Sequence, residues 1–348
     1  MVSAGIIREA VQSPPNSPPR YMLYSKLQRA AQSASADARM QAQGLANRVA
    51  DTAARNGNLA AAREARAFGD RLTSNGNLEQ LLPHDVNSAR FIAEDLGKRL
   101  DAAAMRITRF ADDAYRAATV SSAMTQIMDK ATPAEAQAQA WRELTAKGVT
   151  GFTDRTGRQW NLATYVEMAT RTAAQKAYNA SHKDRLTLAG INYFTPSTTG
   201  RPCPLCAPWE GKILADSGAG DVTEPNARGG DPVTFHVAGT VEEAYAAGFG
   251  HPNCKHVLLA YLPGVTVLHA NQWSAEDEEA YQNTQKLRAL ERAVRAAKLQ
   301  AAGAVTPLDK RRATAAAQAG QQRIRDFTNQ TGLLRRPRRE QLDLGNKP

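Results

Sequence analysis

The sequence predicts a mostly α-helical protein carrying one small α+β domain stapled by zinc, between an elongated helical N-terminal region and a helical C-terminal extension. Three observations lead there. Alanine is abundant while aromatic residues make up only 6% of the 348, and Ala packs helices closely but buries little area per residue, which favours long helices over a large core. Apolar residues recur at helical spacing through both flanks. All three cysteines fall within residues 203–254, in a Gly- and Pro-rich stretch with two histidines beside the last.

The elements follow in chain order. Residues 1–20 form an N-terminal segment and linker, in which two Pro pairs across 12–20 predict an extended chain. Residues 21–147 read as a helical region. Gly44 and Asn56-Gly57 punctuate its first part, which predicts two or three helices up to about Gly69. A long helix is expected over 87–130, with the stripe Phe91, Ile92, Leu96, Leu100, Ala103, Ile107 and Phe110. Pro133 breaks it and 134–147 resumes.

The texture changes at Gly148, where the α+β domain of residues 148–264 begins. Thr153 to Arg158 lies between Phe152 and Trp160 and predicts a hairpin turning at Gly157. Asn161 can cap a helix running to about Gly190, with the stripe Leu162, Tyr165, Val166, Ala169, Ala173 and Ala177. Strands are expected at 191–195, 212–214 and 257–262, and a helical turn or two at 241–247. Residues 197–240 read mostly as loop, and a loop that long inside a compact domain needs a staple. Ser274 to Asp277 fits a capping box that opens a basic helical extension over 265–330, restarted at Pro307. Residues 331–348 read as a disordered basic tail.

Charge and hydropathy narrow the function classes. No apolar run approaches the roughly 20 residues that span a bilayer, and the N-terminus lacks a basic segment followed by a long apolar one, so neither a membrane protein nor a signal peptide is expected. The net charge of +10 is carried by residues 281–348, with fifteen Lys/Arg against five Asp/Glu. Such asymmetry suggests a basic arm that meets a polyanion, or a solvated helix with a frayed tail. The candidate nucleic-acid contacts are Lys310, Arg311, Arg312, Arg335, Arg336, Arg338 and Arg339. Their binding would be non-specific and salt-dependent, because no base-reading motif accompanies them.

The cysteines carry the sharpest signal. Cys203-Pro-Leu-Cys206 is a C-x-x-C pair on a turn, and His251-Pro-Asn-Cys254-Lys-His256 follows in the closing segment. Three cysteines cannot pair fully, so a disulfide framework is not expected. Thiolates and imidazole in this pattern suit tetrahedral Zn²⁺, with Cys203, Cys206 and Cys254 as three ligands. The fourth is His256 if 254–258 is extended, because residues 254 and 256 then share a face, or His251 if 251–254 is a turn. His256 is the preferred ligand. Four protein ligands close a site and make it structural, here pinning the start of the long loop to its end.

The run Cys203-Pro-Leu-Cys206-Ala-Pro-Trp209-Glu210-Gly211-Lys212 resembles the C-P-x-C-x-x-W-E-G-K signature of the phage minor capsid protein 2 family. It is also similar to the wider Mu-F type of phage head morphogenesis proteins, whose closing motif H-P-N-C-R-C corresponds to 251–256 here, with His256 in place of the last Cys. Tyr165 to Thr172 looks like the Y-x-E-M-x-x-R-T helix of that group. The resemblance covers about 148–264. It implies a structural, non-enzymatic minor capsid protein of a tailed bacteriophage, located in the virion head and, during assembly, in the host cytoplasm. It implies contact with the portal or major capsid protein, and with packaged double-stranded DNA as a further partner.

An alternative class is a virion-carried zinc-dependent nuclease or hydrolase, with Glu210 as general base beside a metal-bound water. That needs an open metal position, which four protein ligands fill. A Cys203–His251 nucleophile pair lacks a third orienting group. Glu210 and Trp209 are therefore expected to pack around the zinc loop, and Arg171 to pair with Glu167 one turn earlier.

Overall fold

The computed structural model describes residues 18–68, 89–106, 151–153, 159–199, 202–269, 273–302, 304 and 306–342. The chain divides into two compact units, one of Met1–Gln41, Leu100–Tyr165 and Gln282–Pro348, the other of Ala42–Arg99 and Val166–Tyr281. The fold is mostly α with a small α+β part, as the composition predicts.

Helix α1 is a single element, Pro18–Phe68, where two or three were expected. The glycines that suggested breaks are tolerated inside it, since each costs only about 1 kcal/mol against Ala. Pro18 and Pro19 occupy its first turn, where the missing N–H groups have no helical partner to lose, so the extended reading fails for 18–20. Gly57 serves packing: a Cβ there would overlap the carbonyl oxygen of Tyr178. At the same crossing the Ser181 hydroxyl donates to the Ala54 carbonyl at 2.9 Å.

Helix α2 covers 89–106. Leu96, Leu100 and Ala103 of the expected stripe are buried, but Phe91 is 70% exposed. Ile107, Phe110 and the helix expected over 134–147 lie outside the described residues.

In the Ala42–Arg99 and Val166–Tyr281 unit, five strands form one sheet. They are β3 (Tyr193–Pro196), β4 (Ile213–Ala215), β5 (Gly220–Glu224), β6 (Val233–Thr240) and β7 (Leu258–Ala260), in the order β5-β6-β4-β3-β7. β4 and β6 are parallel and the other pairings antiparallel. The hairpin β5–β6 corrects the reading of 197–240 as loop. β5 (Gly-Asp-Val-Thr-Glu) has no apolar alternation to betray it. Its pairing is held by cross-strand contacts, Asp221 with His236 at 2.7 Å and Thr223 with Thr234 at 2.8 Å.

One sheet face packs Phe194, Leu214, Leu258 and Ala260 against Leu186, Ile191, Val241, Ala244, Phe249 and Ala61 and Ala65 of α1. The other face carries Ile213, Phe235, Val237 and Tyr261. Helix α3 (Leu162–Leu188) buries Ala169, Ala173 and Ala177 of its predicted stripe. It ends in a paired motif: Ile191 N–H donates to the Leu186 carbonyl and Gly190 N–H to that of Thr187, both at 2.9 Å, with Gly190 at φ 83°. Helix α4 (Val241–Ala246) opens with a full capping box of Thr240 and Glu243.

The other unit contains the hairpin of β1 (Gly151–Thr153) and β2 (Gln159–Asn161), paired as Phe152 opposite Trp160; its turn at Gly157 lies outside the described residues. Ser35 of α1 donates to the Ala104 carbonyl of α2, and Arg39 pairs with Asp101. Helices α5 (Ala275–Ala302) and α6 (Pro307–Thr331) pack Leu287 and Val294 against Ile324 and Phe327. The capping box expected at Ser274 is present, completed by Asp277.

The tail corrects another expectation. Over 332–342 it is folded against this pair, with a 3₁₀ turn at Pro337–Glu340. Glu340 is buried and takes a two-pronged bond from Arg335, at 2.7 and 2.9 Å, and one from Gln321 at 2.9 Å. Arg339 faces Glu291 at 3.8 Å, and Arg295 donates to the Arg339 carbonyl. A charge run read as solvated is thus partly consumed by buried carboxylates, an outcome set by tertiary contact and invisible in composition.

Candidate metal centre

Two tight turns present the ligand-type side chains. At 203–207 the N–H groups of Cys206 and Ala207 both donate to the Cys203 carbonyl, at 3.0 and 2.9 Å, and the 3₁₀ turn Ala207–Trp209 follows. At 251–254 the Cys254 N–H donates to the His251 carbonyl at 2.9 Å, with Asn253 at φ 69°. Asn is one of the few side chains that accept this conformation readily. Helix α3 holds the second turn in place: Gln175 and Asn179 donate to the His256 carbonyl at 3.2 and 3.1 Å, and Thr172 accepts from Asn253 N–H. Ser197 and Val257 tie the beginning of the loop to its end.

All five predicted residues converge. Cys203, Cys206 and His251 form one group close enough to hold a metal ion, and Cys206, Cys254 and His256 form another, with Cys206 common to both. Cys203 Sγ lies 2.7 Å from His251 Nε2, Cys206 Sγ 3.6 Å from Cys254 Sγ, and Cys254 Sγ 3.4 Å from His256 Nδ1. Tetrahedral zinc with ordinary bond lengths would separate two thiolates by about 3.8 Å and a thiolate and an imidazole by about 3.6 Å. The Cys206–Cys254–His256 distances fit that geometry closely. The Cys203–His251 contact is a hydrogen-bond contact and would have to open by about 1 Å if both bound one ion.

Each histidine is anchored through its other nitrogen. His256 is buried, and its Nε2 lies 2.7 Å from Glu210 Oε1. His251 Nδ1 faces the Pro252 carbonyl at 2.8 Å. Anchoring of this kind fixes tautomer and orientation in metal-binding histidines. Glu210 Oε1 also accepts from the Thr199 N–H at 3.0 Å and its hydroxyl at 3.3 Å.

The electrostatics suit metal binding. Hydrogen bonding from the Cys206 thiol, followed by the pull of the adjacent histidine, brings Cys203 and Cys254 each down to about 4, whereas Cys206, the shared donor, is pushed up. His251 is raised chiefly by its bond to Cys203. For His256 burial favours the neutral ring, but its bonds to Cys254 and Glu210 outweigh that and raise it. Two of the three thiols are therefore poised as thiolates, the form that ligates.

Elsewhere, Arg171 pairs loosely with Glu167 at 3.5 Å, both half exposed. Lys310, Arg311, Arg312, Arg336 and Arg338 are exposed, whereas Arg335 and Arg339 are engaged by Glu340 and Glu291. Sequence reasoning did not find the pair of buried His182 and partly buried Glu64, 2.9 Å apart. Glu64 of α1 also accepts the Ala260 N–H of edge strand β7 at 2.9 Å. Nothing local marks a contact across more than a hundred residues.

Fold and site together define a mostly helical protein that carries a small α+β module with a Cys/His cluster close enough to hold a metal ion. The sequence model of the phage minor capsid protein 2 family matches residues 27–329. The chain belongs to that family, and this points to a structural role in a phage capsid. No curated protein and no solved structure gives a significant match. No helix of the described residues is long and apolar enough to cross a membrane.

Proposed function

We propose that this chain is a non-enzymatic minor component of a tailed-phage head that acts in head morphogenesis near the portal, with Zn²⁺ closing its α+β module. The observation that carries the reading is the convergence of three thiols and two imidazoles on the two ends of one long excursion, in a chain of minor capsid ancestry. Cys203, Cys206, Cys254 and His256 are the proposed ligands, His256 being favoured by its fit to a tetrahedral edge and by the carboxylate behind it. His251 is the alternative fourth ligand. Glu210 has no exposed side-chain surface, which supports a holding role over that of a base reaching water.

The exposed cations Lys310, Arg311, Arg312, Arg336 and Arg338 are proposed to touch packaged double-stranded DNA through phosphates. The portal or major capsid protein would be the protein partner, in the virion and beforehand in the host cytoplasm. Elemental analysis of purified protein tests the metal: one zinc per chain is expected, lost in His256→Ala and kept in His251→Ala. The opposite pattern reassigns the fourth ligand, and metal-free, folded wild type refutes the staple. Mass spectrometry of purified heads tests the location.

A further inference from the structure

A cleft of about 400 Å³ opens beside the second turn of the metal centre. One wall is Ala53 and Asn56 of α1, another is Arg171, Ala174, Gln175 and Tyr178 of α3, and the third is the metal loop at 253–257. Its composition is selective. Arg171 and Lys255 line it as cations, and no Asp or Glu does so among the described residues. Arg171 is held within its own helix by Glu167: its Nε donates to the Glu167 carbonyl at 3.4 Å, and its guanidinium pairs loosely with the Glu167 carboxylate at 3.5 Å, both side chains half exposed. A pair of that kind is worth at most a fraction of a kcal/mol and exchanges readily for an incoming carboxylate. Besides the cations, Ala53, Ala174, the Tyr178 ring and Val257 give the lining apolar surface, with Asn56, Gln175, Asn253 and Cys254 as its polar members.

We infer that this cleft is a socket for a short acidic segment of another head protein, taking a carboxylate on Arg171 and Lys255 and an aliphatic side chain between them. Charge complementarity sets the sign of the occupant, and the apolar lining sets its second requirement. A DNA backbone meets only the first: its phosphates seek a cationic track and have nothing to bury against alanine and valine. The volume lies within the range of about 300–1,000 Å³ seen for small-ligand sites. It is small for a docked helix about 10 Å across, and suits side chains of an extended strand. The inference rests on the zinc reading in one respect only, that the metal fixes the wall at 253–257.

The test is fluorescence anisotropy on the full chain, with a labelled, acetylated pentapeptide of alternating glutamate and leucine. The comparison probes are its lysine-for-glutamate counterpart and a duplex of about 20 base pairs. Zinc content and circular dichroism are measured on every sample. The acidic peptide is expected to bind and the lysine peptide to fail. Arg171→Glu/Lys255→Glu is expected to weaken binding at least tenfold with zinc and fold unchanged; both side chains are exposed enough to be replaced without unfolding. Equal binding of the acidic and lysine peptides, binding unaffected by the double reversal, or a duplex whose binding alone falls with the reversal would each overturn the socket. Absence of peptide binding by zinc-replete protein overturns the socket and leaves the staple standing. Peptide binding by protein that is zinc-free as purified and folded refutes the staple and leaves the socket.

Discussion

Glu210→Ala strikes the point where fold and metal centre meet. Glu210 Oε1 is the acceptor for His256 Nε2 at 2.7 Å, for the Thr199 N–H at 3.0 Å and for the Thr199 hydroxyl at 3.3 Å. The His256 and Glu210 side chains are 4% and 0% exposed, so water cannot easily replace the lost acceptor. A buried donor left without a partner costs about 1–3 kcal/mol. Counting His256 in full and the half-buried Thr199 in part gives a destabilisation of about 2–4 kcal/mol. Metal affinity should fall as well, because a ligating histidine without its anchor typically loses about 10–100-fold. Glu210→Gln keeps the volume and one acceptor oxygen, and should lose less than half as much stability. Urea unfolding followed by circular dichroism reads the first quantity, and competition against a chromophoric chelator reads the second. If Glu210→Ala unfolded at the wild-type urea midpoint and bound zinc as tightly as wild type, the carboxylate would not be holding His256 and the account of the site would be wrong.

Three further outcomes are expected. Gly57→Ala should destabilise by about 1–3 kcal/mol by forcing α1 from α3, despite a helix propensity gain of about 1 kcal/mol; a raised melting temperature would contradict the close crossing. Glu340→Gln removes the charge that Arg335 grips, so trypsin should cut after Arg335, Arg338 and Arg339 several-fold faster, and unchanged cleavage would show the tail to be free already. Acid should strip the metal, since ligands bind only when deprotonated. Hydrogen bonding to Cys206 and the adjacent histidines hold the Cys203 and Cys254 thiols well below their usual range, so the protons that compete near neutral pH are the last thiol proton of the cluster and that of the imidazole. Affinity should then drop by up to about two orders of magnitude per pH unit below the imidazole pKa, and full zinc occupancy at pH 4 in equilibrium dialysis would exclude this ligand set.

By itself the sequence determined what depends on local spacing. The C-x-x-C turn, the H-P-N-C-x-H run, the α3 stripe, the capping box at Ser274 and the helix restart at Pro307 each act over one turn of chain, and all sit in the expected elements. Tertiary structure decided what depends on a distant partner. β5 is a strand because β6 supplies its hydrogen bonds, not because of its own polar residues. Gly57 turned out to be a packing position inside α1 and not a break, because α3 crosses too close there for a Cβ. Glu340 turned part of a basic tail into a clasp. Glu210 became the anchor of His256, and Glu64 the cover of a sheet edge, through burial and contacts spanning 46 and 196 residues. Short-range preferences repeat and can be read off a window. Long-range pairings are chosen only when the whole chain packs, because the free energy that fixes them comes from groups the window does not contain.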